Sequence, residues 1–345
     1  MSRDQPPQHW VSIHHLQHFV DYGKAAGLSG DDLAVGLDAW RTPVRDTEAT
    51  IPLSLLETML EGLVSAAPEQ PLGLRLAAAT QPATFGVLGF LTQSSPRLAD
   101  VLELLVRYNG LLSDIGHFSL RPAPGRLHLV WECRAGNSLF RRHAREYVLA
   151  CLVVLGRLLL PAQTRFPLAV TFPHGAPGGR AHRQEYHDVL HCPVHFGQPD
   201  AAIIIDNRLL TTPLRHSDPA ILHALQTHAD QLLQRRRQNR PLSSDVLRLI
   251  SAMLGESKVS MPELAHQLGI SNRSLQRRLR AENTSFQQLL DQARLARTRE
   301  LLHDRQLPLE LLAARVGLQS RQTLIRWFHR HTGQTPGEYR EATRP

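Results

Sequence analysis

The chain has few cysteines: three in 345 residues, at Cys133, Cys151 and Cys192, with no C-x-x-C pair. An odd and widely spaced set argues against a disulfide scaffold and favours a reduced compartment. The N-terminus lacks the apolar core of a signal peptide. No run approaches ~18 uninterrupted apolar residues, the length of a membrane span. We therefore expect a cytoplasmic protein that does not cross a membrane.

The sequence also lacks the patterns that carry catalysis or hold a metal ion. Glu146 and Asp114 form no paired-carboxylate or triad pattern. Histidine is frequent throughout the chain, with 19 in all, and the His/Cys-rich segment 174–195 fits no closed zinc site. We expect no enzyme activity, cofactor or metal; the alternative is a metal-responsive regulator or adaptor that uses this segment. Its candidate ligands are His174, His182, His187, His191, Cys192 and His195.

Charge is distributed unevenly along the chain. The net charge is +8, yet residues 235–345 hold 20 Arg and Lys against 10 Asp and Glu, whereas residues 1–234 hold 19 against 21. An Arg-rich composition would explain the preference for Arg over Lys but not this asymmetry. Positive charge concentrated in one part indicates that this part meets a polyanion.

The N-terminal part mixes helix and strand patterns. Apolar residues recur at the spacing of one helix face in three segments, which are 53–66, 98–112 and 219–233, and segment 147–160 predicts a nearly continuous apolar, buried helix. Short strand-forming runs occur at 118–120, 127–131, 169–172 and 201–205. The first two strands flank a turn and form a hairpin. This mixture predicts an α+β domain.

A basic run ending in proline marks the domain boundary. Four arginines and Pro241 follow one another here with nothing apolar to bury. We predict a regulatory domain over 1–234, a basic linker over 235–242 and a second domain over 243–345. The arginines can be interpreted as a phosphate-contacting arm or as a solvated linker, and we favour the linker, with diffuse electrostatic help to DNA binding. Helix 219–233 either joins two chains into a homodimer or closes the regulatory domain, and the sequence favours neither.

The second domain contains one short plan twice, each time as a helix, a tight turn and a second helix rich in Arg and Gln. In the first copy, over about 260–281, Ser260 and Glu263 form a capping signal. Gly269 supplies the turn and Ser271 caps the second helix. The outward face of that helix presents Arg273, Gln276, Arg277 and Arg280.

The second copy, over about 308–330, keeps the same scaffold with Gly317 as the turn and Ser320 as the cap. Its outward side chains are Arg321, Gln322, Thr323, Ile325 and Arg326. A major groove admits one α-helix, Arg and Gln can pair twice with guanine or adenine edges, and an apolar side chain suits a thymine methyl. Because the two faces differ, one chain should read an asymmetric site of two unlike halves.

The segment between the copies, about 285–303, predicts an amphipathic helix. Its apolar positions are Phe286, Leu289, Leu290, Ala293, Ala296, Leu301 and Leu302. At ~1.5 Å per residue such a helix is roughly 27 Å long, comparable with the ~34 Å between major grooves on one face of DNA. A rigid spacer of this length would let both readers engage successive grooves.

Residues 243–341 resemble the DNA-binding domain of the AraC/XylS family of bacterial transcription regulators. The matching segments are 264–271, 275–279, 285–286, 294–297, 312–317, 323–328 and 333–340. The resemblance implies that Arg273, Gln276 and Arg277 belong to one reading helix. It implies that Arg321, Gln322 and Arg326 belong to the other.

Three positions depart from the family pattern. Asn283 stands where the family usually has glycine, and asparagine can also adopt a left-handed turn. Leu318 replaces a common aromatic residue, and Leu324 replaces the usual phenylalanine on the second reader. Since both are apolar exchanges within a core, we expect them to affect local packing and not function.

Residues 85–108 resemble the effector domain of the subgroup that contains ornithine-utilisation-type regulators, and segments 193–196 and 209–214 extend the similarity to roughly 15–230. The name of this domain type mentions arabinose, but no residue pattern here supports a sugar ligand. The resemblance implies a sensing domain whose ligand is unidentified.

The sequence therefore predicts an α+β sensing domain followed by an all-α domain in which a central helix joins two helix-turn-helix units. We predict a sequence-specific regulator, an activator, controlled by a small-molecule effector. Its expected partners are double-stranded promoter DNA, RNA polymerase and the effector, while the sequence leaves open whether a second copy of the chain joins it in a homodimer.

Overall fold

The computed structural model describes residues 9–25, 27, 48–66, 70–238, 241–255, 259–302, 304 and 306–342. The chain divides into two compact units, with the break between Arg237 and Gln238. The described part of the first unit has one apolar core, and that of the second has two. Within the described ranges no helix is long and apolar enough to cross a membrane.

The first unit, here called the N-terminal domain, begins with a small antiparallel sheet and several helices. Its first strands are β1 (Trp10–Ser12) and β2 (Thr50–Pro52). The helices up to residue 108 are α1 (Ile13–Ala25), α2 (Leu53–Ala66), α3 (Leu72–Ala78), α4 (Gly86–Ser94) and α5 (Leu98–Tyr108). In α2 the residues buried at three- to four-residue spacing are Leu53, Leu56, Met59, Leu60 and Leu63. The predicted helix over 53–66 is therefore confirmed.

A larger sheet forms one layer of this domain. Its strands are β3 (Gly116–Ala123), β4 (Arg126–Cys133), β5 (Ala169–Thr171), β6 (Val194–His195) and β7 (Ala202–Asp206). They lie in the order β3-β4-β7-β5-β6, and only β5 and β6 are parallel. The predicted hairpin is the β3–β4 pair, whose turn contains Gly125 at φ +70°. The face that packs on the helices buries Phe118, Leu129, Trp131, Ile203 and Ile205.

The long helix α6 (Ser138–Leu159) crosses the core of the N-terminal domain. The Asn137 side chain caps it by accepting a hydrogen bond from Phe140 N at 2.8 Å. Apolar periodicity predicted its start only at residue 147, because Arg141, Arg142 and Arg145 interrupt the apolar pattern of its first turns. Helix α7 (Arg180–Leu190) follows it.

Helix α8 (Pro219–Gln238) ends the N-terminal domain along the chain. Ala229 and Leu232 are buried in the domain core. Asp230 accepts hydrogen bonds from the hydroxyl of Tyr108 at 2.8 Å and from Arg107 at 2.9 Å. One face of α8 thus closes the N-terminal domain.

The arginines placed in a linker by the sequence analysis begin inside α8. Arg236 donates a hydrogen bond to Leu111 O and lies with its guanidinium 4.7 Å from the ring centre of Trp10. Burial lowers the pKa of Arg236 below its usual value. The helix continues past residue 234 because Arg236 has these partners in the N-terminal domain, whereas residues 239–240 lie outside the described part.

The second unit, here called the C-terminal domain, is helical in its described part. It begins with α9 (Leu242–Met253), α10 (Met261–Gln267) and α11 (Asn272–Ala281). The central helix α12 (Phe286–Leu302) is followed by α13 (Leu309–Arg315), α14 (Arg321–Thr332) and α15 (Pro336–Ala342). The predicted fold class, an α+β domain followed by an all-α domain, is confirmed.

Candidate nucleic-acid interface

The first helix-turn-helix unit consists of α10 and α11. Ser260 Oγ accepts a hydrogen bond from Glu263 N at 3.4 Å, and Ser271 Oγ accepts one from Ser274 N at 3.2 Å. Gly269 has φ +65°, a left-handed conformation that glycine adopts without strain and that ends α10. The predicted caps and turn are confirmed at these positions.

Helix α11 buries one face and exposes the other. Leu275 and Leu279 are 0% and 1% exposed and join the first of two cores in this domain. The predicted reading side chains on the opposite face are all exposed, and they are Arg273, Gln276, Arg277 and Arg280. Arg278, which the prediction left out, is exposed as well. The result is a capped helix with a cationic outer face.

The second unit, α13 and α14, has the same construction. Gly317 has φ +71°, and Ser320 Oγ accepts a hydrogen bond from Thr323 N at 3.2 Å. Leu324 and Phe328 are fully buried in the second core. On the outer face Arg321, Gln322 and Arg326 are exposed.

Two predicted readers of α14 are only half-exposed. The hydroxyl of Thr323 lies 2.9 Å from Ser320 Oγ, so it takes part in the cap of its own helix. Ile325 is partly buried, and its side chain has no polar group with which to contact a base edge. Arg321 approaches Glu310 of α13 at 3.5 Å in an exposed ion pair. Of the outer side chains, Gln322 and Arg326 are therefore the better placed to extend toward a base edge.

Arg294 joins the central helix to the turn of the second unit. Its Nε donates to Val316 O at 3.0 Å and its Nη2 donates to Gly317 O at 3.1 Å. Both acceptors lie where α13 ends, so the guanidinium satisfies carbonyls that the helix leaves open. Burial lowers the pKa of Arg294 below its usual value. Sequence reasoning missed this role, because no local pattern shows which carbonyls a helical arginine meets.

A second link joins α12 to α14, the second helix of this helix-turn-helix unit. The indole Nε1 of Trp327 donates to Asp291 Oδ1 at 2.9 Å, and Trp327 is 5% exposed. His331, one turn later, lies 3.8 Å from the other carboxylate oxygen of Asp291. Together with Arg294, these contacts fix α14 on the central helix from two sides.

A third link, also missed from the sequence, fixes the end of α11. Both carboxylate oxygens of Glu282 accept backbone hydrogen bonds at the start of α9, from Leu242 N at 2.7 Å and from Ser243 N at 2.8 Å. Pro241 precedes these residues, and α9 has no side-chain cap of its own. Glu282 therefore caps α9 from a distance of 40 residues along the chain.

The central helix contributes to both cores. Leu289, Leu290 and Ala293 pack with the first unit, and Leu302 packs with the second. Ala296, predicted on the apolar face, is exposed, whereas Thr298 is fully buried. That single prediction was wrong because the buried face changes partner between the two units, and Thr298 lies where it changes.

The three departures from the family pattern are accommodated locally. Asn283 has φ +55°, so it adopts the left-handed turn expected of it. Leu324 is fully buried, and Leu318 packs against the same core. The replacement of aromatic residues by leucine thus leaves the second unit with a closed core.

In the N-terminal domain the histidines of segment 174–195 differ in their surroundings. His174 Nε2 is 3.3 Å from the buried Glu146 Oε1, whereas His187, His191 and His195 are exposed. Among the described residues no group of three His, Cys, Asp or Glu side chains is placed to hold a metal ion. Within that part of the chain, the metal-responsive alternative has no ligand cluster.

Glu146 itself belongs to a buried polar network. Its carboxylate accepts hydrogen bonds from Tyr186 at 2.5 Å and from Arg142 at 3.3 Å, and His143 Nδ1 lies 3.3 Å away. Burial alone would raise the pKa of Glu146, but hydrogen bonds from His143 and Tyr186 and the charge of His174 hold it below its usual value. These partners stabilise a buried carboxylate and tie α6 to α7.

Comparison with known families and proteins agrees with this architecture. Residues 27–214 match the family model described as the N-terminal arabinose-binding domain of AraC transcription regulators. Residues 264–342 match a helix-turn-helix domain model. The first match alone covers more than half of the chain.

Relatives of this chain include three proteins that are named as regulators or activators. The ornithine utilization regulator of Pseudomonas aeruginosa is 28% identical over 280 residues, which cover 79% of each chain. The regulator VirS of Mycobacterium tuberculosis is 26% identical over 295 residues, 85% of each chain. The transcriptional activator CfaD of Escherichia coli is 30% identical over 76 residues, 22% of this chain and 29% of that one. With its effector-binding domain and its helix-turn-helix DNA-binding domain, the chain belongs to the AraC family of transcription regulators.

Proposed function

We propose that this regulator reads an asymmetric promoter site by placing α11 and α14 in successive major grooves. The observation that carries the proposal is the pair of capped helices, each with a buried apolar face and an exposed face of Arg and Gln, within one unit. A major groove accommodates one α-helix, and Arg and Gln recognise guanine and adenine in two-point contacts. A single chain then recognises two unlike half-sites.

The central helix supports this arrangement as a spacer. Its 17 residues correspond to a length of about 25 Å at ~1.5 Å per residue. The widths of the flanking helices add to this length and bring the separation of the two readers toward the ~34 Å repeat of the major groove. Its anchors to the second unit are Arg294 and Asp291, and its packing in the first core comes from Leu289. A spacer held at both ends keeps the two readers in one register.

We assign base reading to two sets of side chains. The first set is Arg273, Gln276 and Arg277, with Arg280 at the end of α11 placed toward the phosphates. The second set is Arg321, Gln322 and Arg326, with Thr323 beside them and Ile325 facing a thymine methyl. Since a bidentate contact discriminates by ~1–3 kcal/mol, loss of one arginine should weaken binding roughly ten- to a hundredfold.

The test is a footprint of the full-length protein on a duplex selected from a random pool. Arg277→Ala should weaken protection and relax base preference in one half of the site, and Arg326→Ala should do so in the other half. Arg248→Ala, an exposed arginine on α9, is the matched control and should leave both halves intact.

A footprint confined to one groove, with Arg326→Ala indistinguishable from the unsubstituted protein, would contradict the two-reader model. Loss of both halves with either substitution would instead contradict the assignment of one helix to each half.

We further propose that the protein activates transcription through contact with RNA polymerase. The support is the similarity of a 76-residue segment of the chain to a relative named as a transcriptional activator. Transcription in vitro from a promoter carrying the selected site should rise when the full chain is added. A fall in transcript would make the protein a repressor at that promoter.

The N-terminal domain is proposed to sense a small molecule and to alter DNA or polymerase contact, in the cytoplasm, as a monomer or a homodimer. For this the ligand must bind one conformational state better than the other. Helix α8 connects this domain to the reading domain along the chain, and Asp230 holds it to α5. Sedimentation with and without DNA gives the oligomeric state.

A further inference from the structure

The N-terminal domain contains an internal cavity of about 90 Å³. It lies between the inner face of the large sheet and the layer formed by α1, α2, α5 and α6. Trp131 and Ile203 line it from the sheet, and Leu60, Leu105 and Ala144 line it from the helices. These side chains are all buried. The cavity therefore occupies the centre of the domain proposed to sense a ligand.

The wall of the cavity carries no permanent charge in the described part of the chain. Its lining residues include no Asp, Glu, Lys or Arg. Two of its polar side chains are already engaged with the protein: Asn109 donates to Gly116 O at 2.7 Å, and Thr92 donates to Gly89 O at 2.8 Å. His143 turns its Nδ1 toward the Glu146 carboxylate at 3.3 Å.

Two further polar features of the wall can offer a hydrogen bond to a ligand, namely the hydroxyl of Ser113 and a neutral pair. His15 Nδ1 lies 3.4 Å from the hydroxyl of Tyr147, and both side chains are buried in the wall. Burial lowers the pKa of His15 to about 3 and raises that of Tyr147 well above its usual value. At neutral pH the pair is thus an uncharged imidazole beside an uncharged phenol.

We infer that this cavity is the ligand site of the N-terminal domain and that it takes a compact, neutral, largely hydrocarbon molecule with few hydrogen-bonding groups, placed at His15 and Tyr147 or at Ser113. This inference rests on the proposed sensing function of the domain. Dry apolar cavities of ~150 Å³ bind benzene, so a cavity of this order accepts a single ring after small side-chain adjustments.

The same wall disfavours two ligands that appear in the names given above, arabinose in the name of the matching family model and ornithine in the name of a relative. A sugar such as L-arabinose carries several hydroxyls, and most of them would find no partner here. L-Ornithine carries ammonium and carboxylate groups, and each would need an opposite charge that the lining residues do not provide. The cavity then selects against polar and charged ligands because it provides no partners for their hydroxyl, ammonium and carboxylate groups.

The test is calorimetric titration of the full-length protein with toluene, phenol, L-arabinose and L-ornithine, together with the midpoint of thermal unfolding. Toluene and phenol should bind saturably and raise the midpoint, because a ligand of the folded state stabilises it. Ala144→Leu fills part of the cavity and should weaken toluene binding at least tenfold. The sugar and the amino acid should give no saturable heat.

A matched pair on α2 keeps the test decisive if Ala144→Leu does not fold. Leu60 and Leu63 are each 2% exposed, but only Leu60 lines the cavity. Leu60→Ala should raise the affinity for naphthalene relative to toluene at least fivefold, and Leu63→Ala should leave the ratio unchanged. Equal ratios in both variants, no binding of toluene or phenol, or saturable binding of L-arabinose or L-ornithine would overturn the inference. Footprints on DNA with and without saturating toluene test the proposed sensing function separately, because toluene binding and a change of the footprint can fail independently.

Discussion

Arg294 shows how one side chain controls the geometry of a reading helix that it does not belong to. Its guanidinium fixes two carbonyls at the end of α13, and the turn that starts there leads directly into α14. Only the planar fork of arginine presents two donors in this geometry, so lysine would not replace it. Asp291, one turn earlier, holds Trp327 of α14 in the same way.

We expect Arg294→Met to destabilise the C-terminal domain by about 2 kcal/mol, since it removes two charge-assisted hydrogen bonds and leaves their carbonyls open. It should also weaken protection of the half-site assigned to α14. Urea unfolding and footprinting measure the two effects. Arg299→Met, an exposed arginine on the same helix, is the control and should change unfolding by less than ~0.5 kcal/mol.

His15 predicts a pH dependence confined to the N-terminal domain. Burial lowers its pKa in the folded state to about 3, from 6.5 in the unfolded chain, so the unfolded chain takes up the proton first. The stability is then complete above pH 6.5 and falls as the pH drops from 6.5 toward 3.

Between pH 7 and pH 5, the unsubstituted protein should lose about 2 kcal/mol more than His15→Gln, at ~1.4 kcal/mol per pH unit. Urea unfolding followed by tryptophan fluorescence at the two pH values measures the difference. His228→Gln, an exposed histidine on α8, should behave like the unsubstituted protein. Parallel loss in His15→Gln would show that other groups carry the dependence.

At the scale of elements, each reading helix is defined at its start by a serine and before that by a glycine in the left-handed region. Ser271 and Ser320 each accept the backbone N–H three residues later, and Gly269 and Gly317 have positive φ. The caps fix where each helix begins, and the helical period then determines which side chains point outward. Arg277 and Arg326 are exposed for this reason.

Ser320→Ala should cost ~1 kcal/mol of stability in the C-terminal domain, because the N–H of Thr323 loses its acceptor. Ser320→Asp should restore most of that loss, since aspartate is an equally good cap. Thermal unfolding of both variants provides the comparison. If aspartate fails to rescue, the hydroxyl contact with Thr323 Oγ1, and not the cap, is what stabilises the turn.

At the scale of the whole molecule, positive charge and sensing are divided between two units. Residues 238–345 carry 17 Arg and Lys against 10 Asp and Glu, whereas residues 1–237 carry 22 against 21 and are close to neutral. Attraction to phosphates should therefore come from the C-terminal domain alone. The uncharged cavity wall lies in the domain that has no such task.

Arg280→Gln should reduce the salt dependence of DNA binding by about 0.9 in the slope of log K against log salt, the effect of one lost phosphate contact. Arg208→Gln removes an exposed arginine of the N-terminal domain and should leave the slope unchanged. Titrations at several salt concentrations measure both slopes. An equal reduction in both variants would show that the N-terminal domain also meets DNA.

Short segments of the sequence determined many local features of this protein. Caps, turns and reading faces depend on residues three or four positions apart, so local sequence alone places Ser271, Gly317 and the exposed arginines. The hairpin of β3 and β4 followed from the same kind of local signal, as did the left-handed turn at Asn283.

Only the tertiary structure decided which distant groups meet. Glu282 caps a helix that begins 40 residues away in the chain. Arg236, expected in a solvated linker, instead donates a hydrogen bond to a carbonyl oxygen of the N-terminal domain and packs on Trp10. On the central helix Thr298 is buried, whereas Ala296 was the residue expected to be buried. The cavity is likewise shaped by residues from Val11 to Ile205. Apolar periodicity predicts that a side chain is buried but not which residues it packs against, because those residues come from distant parts of the chain that meet only in the folded protein.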